Sequence, residues 1–134
     1  LLPQEASGRP HRKLWLITIL IVLVSSILTI VLAPSVLPIL MPKYIPAIDL
    51  IQIMSIAAVS MTITLRYTSK FLGNEKSKIV IVGKAIYLTS HIIGIFSIGT
   101  EFGIQGVAIS FVIASSIEAL YFVTINRMLN KKTQ

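Results

Sequence analysis

Long apolar runs alternate with short charged stretches along this chain. Residues 14–33 read LWLITILIVLVSSILTIVLA and hold no charge. Residues 47–65, AIDLIQIMSIAAVSMTITL, carry only Asp49. Residues 79–99, IVIVGKAIYLTSHIIGIFSIG, include Lys84 and His91, and residues 104–125, IQGVAISFVIASSIEALYFVTI, include Glu118. A hydrocarbon core about 30 Å thick takes roughly 20 apolar residues in a helix, and each run has that length. Many of these residues are β-branched, but in lipid an open sheet would leave backbone groups unpaired. A transmembrane barrel would alternate over about ten residues instead of running continuously apolar. The pattern predicts an all-α integral membrane protein. It has four antiparallel transmembrane helices over 14–33, 47–65, 79–99 and 104–125, a leading segment over 1–13 and a tail over 126–134.

Charge gives the four spans a direction. Arg9, Arg12 and Lys13 precede the first span, and Arg66, Lys70, Lys76 and Lys78 separate the second from the third. Arg127, Lys131 and Lys132 follow the fourth. Lys84 lies just inside the third span at the same end, so all but Lys43 of the twelve basic residues fall on one side. Basic short loops mark the cytoplasmic face, which places both termini in the cytoplasm of a cell-membrane protein. The net charge of +7 is then a record of topology and not of nucleic-acid binding.

Composition agrees. Hydrophobic residues make up 54% of the chain, and Asp, Glu, Lys and Arg only 13%, about half the share in a soluble domain. There is no cysteine, which excludes disulfides, thiol catalysis and cysteine-based zinc sites. Two histidines are too few for a metal centre. Paired carboxylates, a nucleophile with its base and a glycine-rich phosphate loop are all missing, so the chain reads as a non-enzyme without cofactor. The opening LLPQEASGRPHRK lacks the order of a signal peptide. Leu1 in place of a start Met points to a piece of a longer chain.

The connections have their own chemistry. PSVLPILMPKYIP carries Pro34, Pro38, Pro42 and Pro46 at every fourth position. Pro34 is expected to stop the first span. The residues beyond it are apolar enough for a short interfacial element on the outer side, with Tyr44 at headgroup depth and Pro46 at a helix start. A plain proline-rich turn is the alternative. RYTSKFLGNEKSK reads as a cytoplasmic loop turning at Gly73-Asn74. TEFGIQG reads as a tight outer turn in which Gly103 and Gly106 supply positive φ.

Four of these stretches, in this order and spacing, resemble the C-terminal region of the Wzx-type polysaccharide biosynthesis flippases. That family belongs to the multidrug/oligosaccharidyl-lipid/polysaccharide exporter superfamily. LLP resembles the end of a preceding family helix. LAPSVLPILMPKYIPAIDLIQIMSI resembles the family's small apolar lead, tyrosine, small residue (Ala47) and apolar helix. FLGNEKSKI resembles its Leu-Gly then Lys loop, and FGIQGVAISFVIA its Phe-Gly-Ile-x-Gly-Ala-Ala run. The chain departs from the pattern at Met41 and Pro42, where the family has a glycine before the tyrosine. The resemblance implies about a dozen helices in two lobes around a central cavity, of which this chain would supply the last four. It implies translocation of a lipid-linked oligosaccharide from the inner to the outer leaflet by alternating access. The partners are then membrane lipid, that substrate and the missing N-terminal helices of the same protein.

Ionisable groups within a span are costly and by default suspected of function. Lys84, Tyr87 and His91 are spaced by three and four, so they share one helical face. Facing a cavity, that stripe would bind the diphosphate of a lipid-linked sugar. The alternatives are that Lys84, about 8 Å deep, snorkels to the cytoplasmic surface and that His91 donates to a neighbouring helix. Glu118 falls at a depth similar to that of Lys84, either as its ion-pair partner or as a proton- or cation-coupling group. Asp49 reads as a first-turn charge favoured by the helix dipole. Ser55, Ser60, Thr62, Ser110, Ser115 and Ser116 read as small packing residues. Two rival functions stand beside the flippase: a cation- or proton-coupled drug or toxin antiporter of the same superfamily, and a stand-alone four-span scaffold or assembly subunit.

Overall fold

The computed structural model describes residues 12–132. Expectations for Leu1-Leu2-Pro3, Arg9, His11 and the rest of 1–11, and for residues 133–134, lie outside the described residues. Within them the chain is all-helical, with no strand. Helix α1 covers Arg12–Leu40, a short 3-10 helix Pro42–Ala47, and α2 Ile48–Gly73. Helix α3 covers Ser77–Gly94, a π-helical turn Ile95–Gly99, and α4 Thr100–Lys131.

Three stretches are long and apolar enough to cross a membrane: Arg12–Leu40, Pro42–Gly73 and Ser77–Lys131. The last, 55 residues long, doubles back on itself. Gly103 takes φ 61 and ψ −135, a backbone region open to glycine and closed to side chains. On either side of it the chain meets itself in antiparallel order. Gly94 abuts Ser110, Lys84 meets Glu118, and Gly83 abuts Phe122. Gly106, the other glycine expected at positive φ, is instead part of α4. It is needed for a different reason: a Cβ there would collide with the Ile98 carbonyl.

The helices outrun the apolar runs, and one expectation is corrected. Pro34 does not stop α1, which continues through Pro34 and Pro38 to Leu40. A proline at position 34 leaves the Ile30 carbonyl without its helical donor. The side-chain Nε2 of Gln52, on α2, donates to that oxygen at 2.8 Å. The gap is filled from the neighbouring helix, and the ladder continues. Ser26 Oγ, one turn earlier, donates to the Ser55 carbonyl at 2.9 Å, so the two helices are tied twice. The break comes at Met41, and Pro42 then opens the 3-10 helix that also holds Tyr44 and Pro46.

The stretch read as a cytoplasmic loop is also corrected: it is helical as far as Gly73. Only 74–76 turn, with Lys76 N–H donating to the Phe71 carbonyl at 2.8 Å and Glu75 at φ 57. Packing explains the extra helix. Phe71, Val80 and Phe122 form a buried cluster, flanked by Tyr67, Ile79, Tyr121, Ile125 and Leu129. The Phe71 and Phe122 rings lie 5.8 Å apart. Residues of the expected tail likewise belong to α4, which runs to Lys131.

Lateral packing sets the shape. Helix α1 packs on α2 and on neither α3 nor α4. Helix α2 packs on α4, and α4 on α3, while α2 and α3 barely meet. The order across the molecule is therefore α1, α2, α4, α3: an open row and not a closed bundle. Helix α4 buries Gly106, Ala108, Ser110, Ala114, Ser115, Glu118, Ala119 and Phe122, whereas α1 buries only Ser26 and Ala33. Small residues on α4 let both neighbours approach closely. Ser116 Oγ donates to the Val112 carbonyl at 2.7 Å, which leaves Ser60 Oγ of α2 as donor in the 3.2 Å bond between them.

Candidate functional site

Because α4 holds both α2 and α3 while those two scarcely touch, a cleft opens between them with α4 as its floor. The volume is about 480 Å³. The floor is Phe111, Ser115 and Glu118, spaced by four and three on α4. One wall is the α2 stripe of Met61, Thr64, Leu65 and Thr68, with Thr62 beside it. Lys84 and Tyr87 on α3 make the other wall. Each stripe repeats every three or four residues, which is what aligns side chains along one face of a helix.

The charges in the cleft are unequal in exposure. Lys84 Nζ lies 2.8 Å from Glu118 Oε1, yet the lysine side chain is 53% exposed and the glutamate 4%. Glu118 Oε1 is buried, and the Lys84 ammonium is its one close partner among the described residues. Antiparallel pairing across Gly103 is what brings these two residues to one level.

Two hydroxyls in the same cleft are also unsatisfied. Thr64 Oγ1 and Thr68 Oγ1 are buried without a partner. Threonines in helices commonly return their hydroxyl to the carbonyl four residues back. Thr62 does so, donating to Ala58 at 2.8 Å. Thr64 and Thr68 forgo that bond. An unmade hydrogen bond at a buried polar atom costs about 1–3 kcal/mol.

The α3 stripe divides. Tyr87 lines the cleft with Lys84, whereas His91 stands one turn beyond, stacked on the Tyr87 ring at 5.8 Å and 17°. Phe111 meets both rings edge-on, at 6.0 Å from Tyr87 and 5.7 Å from His91. His91 Nδ1 lies 3.2 Å from Ser110 Oγ, whose own proton goes to the Val107 carbonyl at 2.7 Å. That assignment makes Nδ1 the protonated nitrogen and the donor. His91 thus braces the tyrosine and bridges to α4. Ser115, expected only as a packing residue, lies on the floor of the cleft.

Other polar residues serve the joints between helices. Asp49, in the first turn of α2, accepts from Gln105 Nε2 on α4 at 3.1 Å. Lys70 Nζ donates to Asn126 Oδ1 at 2.7 Å, joining the same two helices at their other ends. The Arg66 guanidinium lies 4.1 Å above the Trp15 ring and links α2 to α1. Comparison with family models, with curated proteins and with solved structures found no match for this chain.

Proposed function

We propose that this chain is the C-terminal part of a membrane flippase or exporter that carries a lipid-linked oligosaccharide across the cell membrane by alternating access. The observation that carries the reading is the cleft. It presents a half-exposed ammonium and a tyrosine on apolar walls, with two unpartnered threonine hydroxyls buried behind the surface. That set suits a diphosphate: Lys84 supplies charge, and Tyr87 supplies a donor. His91 holds Tyr87 in place. The ordered resemblance of four stretches to the Wzx-type flippases supports the same reading. In it α1, α2, α3 and α4 each cross the membrane, both termini face the cytoplasm, and the open row is one side of a larger cavity. The remaining helices of the protein are its partners, and the two lobes rock against each other.

The test is genetic and chemical. Cells whose only copy carries Lys84→Gln should accumulate the lipid-linked precursor on the inner leaflet and lose surface glycan, with protein abundance unchanged. Normal surface glycan in that strain overturns the reading. A second reading, the cation- or proton-coupled antiporter, is favoured by one feature. Glu118 is a carboxyl only 3% exposed within the cleft, and its one close partner among the described residues is the half-exposed Lys84. The scaffold reading predicts instead that a neutral, well-packed pair, Lys84→Met with Glu118→Leu, leaves function intact.

A further inference from the structure

We propose that the end of the molecule where α1 and α3 begin and α2 and α4 finish is a docking surface for acidic phospholipid headgroups. It rests on the membrane placement proposed above and not on the substrate. Three contacts bring the four helix ends to one level. The Arg66 guanidinium of α2 lies 4.1 Å above the Trp15 ring of α1. Lys70 Nζ of α2 donates to Asn126 Oδ1 of α4. Phe71, Val80 and Phe122 join α2, α3 and α4 in one buried cluster. The chain gathers cations at this end. Arg12 and Lys13 open α1, and Lys76 and Lys78 flank the start of α3. Arg127, Lys131 and Lys132 close α4. All of these side chains are exposed, and none has a carboxylate partner among the described residues. Glu75, in the turn between α2 and α3, is the one described carboxylate at their level.

Depth and shape say what these charges meet. Trp15, Tyr67 and Tyr121 lie on the inner side of the cations, Trp15 beneath Arg66 and the two tyrosines against the Phe71 cluster. Tryptophan and tyrosine gather where hydrocarbon meets headgroup, so cations just beyond them stand at the level of the lipid phosphates. The phosphates within reach at that depth belong to the leaflet itself, which makes lipid the partner and not nucleic acid or a soluble acidic protein. The opposite end differs in sign: Lys43 is outnumbered there by Asp49 and Glu101. The cations are also spread and not focused. Neighbouring helices pack about 8–10 Å apart, so the row α1, α2, α4, α3 sets them out over about 24–30 Å. A line of that length meets several headgroups side by side, where a single small anion would meet few of the charges. Like charges that the protein leaves uncompensated repel one another, and acidic headgroups supply the missing counter-charge.

The measurement is electron spin resonance of the full chain reconstituted in phosphatidylcholine vesicles. One sample carries a trace of chain-labelled phosphatidylglycerol and a parallel sample chain-labelled phosphatidylcholine. Lipid held against the protein gives a motionally restricted signal, and the ratio of the two restricted fractions reads the preference. One apposed Lys or Arg is worth about fivefold, and lipid around the rest of the perimeter dilutes this, so the intact chain should favour phosphatidylglycerol by about two- to fivefold at low salt. At about 1 M salt, where the Debye length is about 3 Å, the ratio should fall toward one. The combined variant Lys76→Gln, Lys78→Gln, Lys131→Gln and Lys132→Gln should lose most of the preference, whereas Lys43→Gln at the other end should keep it. Equal restriction of the two lipids by the intact chain overturns the inference, and retention of RNA by the same sample would assign the charges to nucleic acid. A preference that survives high salt or the combined variant, or that Lys43→Gln abolishes, overturns it too. If the combined variant fails to fold, the ratio for the intact chain at low and high salt decides. Each of these results leaves the membrane placement and the flippase reading standing. A chain that alkaline carbonate washes off the vesicles overturns the placement and the inference together.

Discussion

Gln52 shows how one side chain can cancel a break that lies on another helix. Its Nε2 occupies the Ile30 carbonyl that Pro34 leaves open. Gln52→Leu should lower stability by about 1 kcal/mol, the net worth of a typical hydrogen bond. Adding Pro34→Ala should recover much of that loss, since the new N–H at position 34 reaches the same oxygen. Unfolding midpoints of the two single variants and the double variant decide it, and simple additivity would refute the compensation. The ion pair allows a parallel experiment. Lys84→Gln alone leaves the buried Glu118 carboxyl without its partner, so it should destabilise the chain more than Lys84→Gln combined with Glu118→Gln. The half-exposed lysine keeps the difference below that of a fully buried pair. Gly83 is a third case. A Cβ there would lie 2.5 Å from Phe122 Cζ, so Gly83→Val should displace the ring and cost about 1–3 kcal/mol.

Among the elements, the hairpin of α3 and α4 depends on its hinge. Gly103→Ala forces a side chain into φ 61 and should cost about 1–3 kcal/mol, read as a lower unfolding midpoint and faster proteolysis near residue 103. An unchanged midpoint would show that the turn tolerates another conformation. The turn at Gly103 was legible in the sequence, since glycine and polar residues interrupt an otherwise apolar run. So was the shared face of Lys84 and Tyr87, because a spacing of three allows nothing else on a helix. The level of Glu118 followed from reversing direction at that turn. The helix ends were not legible. Hydropathy marks the part that suits lipid, whereas α2 continues through Arg66 and Lys70 because Phe71 finds the Phe122 ring beyond them. Pro34 misled for a similar reason: its remedy, Gln52, is distant in sequence. Thr64 and Thr68 carry no signal of their own, because a threonine in a span usually satisfies itself. Only the cleft reveals that these two do not.

At the scale of the whole molecule, the chain offers three candidate spans by length and composition, the third of which doubles back at Gly103. If all four rods cross the bilayer, Tyr44 and Phe102 face one side, and Asn74 and Lys132 the other. The sequence has no cysteine, so a thiol placed at each position in turn is unique. An impermeant maleimide added outside should label Tyr44→Cys and Phe102→Cys, and should label Asn74→Cys and Lys132→Cys only after the membrane is opened. Labelling at Asn74 and Lys132 from opposite sides would mean three crossings. The lateral order α1, α2, α4, α3 also governs how the molecule is made. The ribosome releases α1 and α2 before α3, and they can pair at once. Helix α3 emerges next and finds little of α2 to hold. Helix α4, made after α3, slots between the two and makes the main contact with each. Docking of α3 therefore waits until α4 has been made, and a transcript truncated between them leaves α3 with little to pack on.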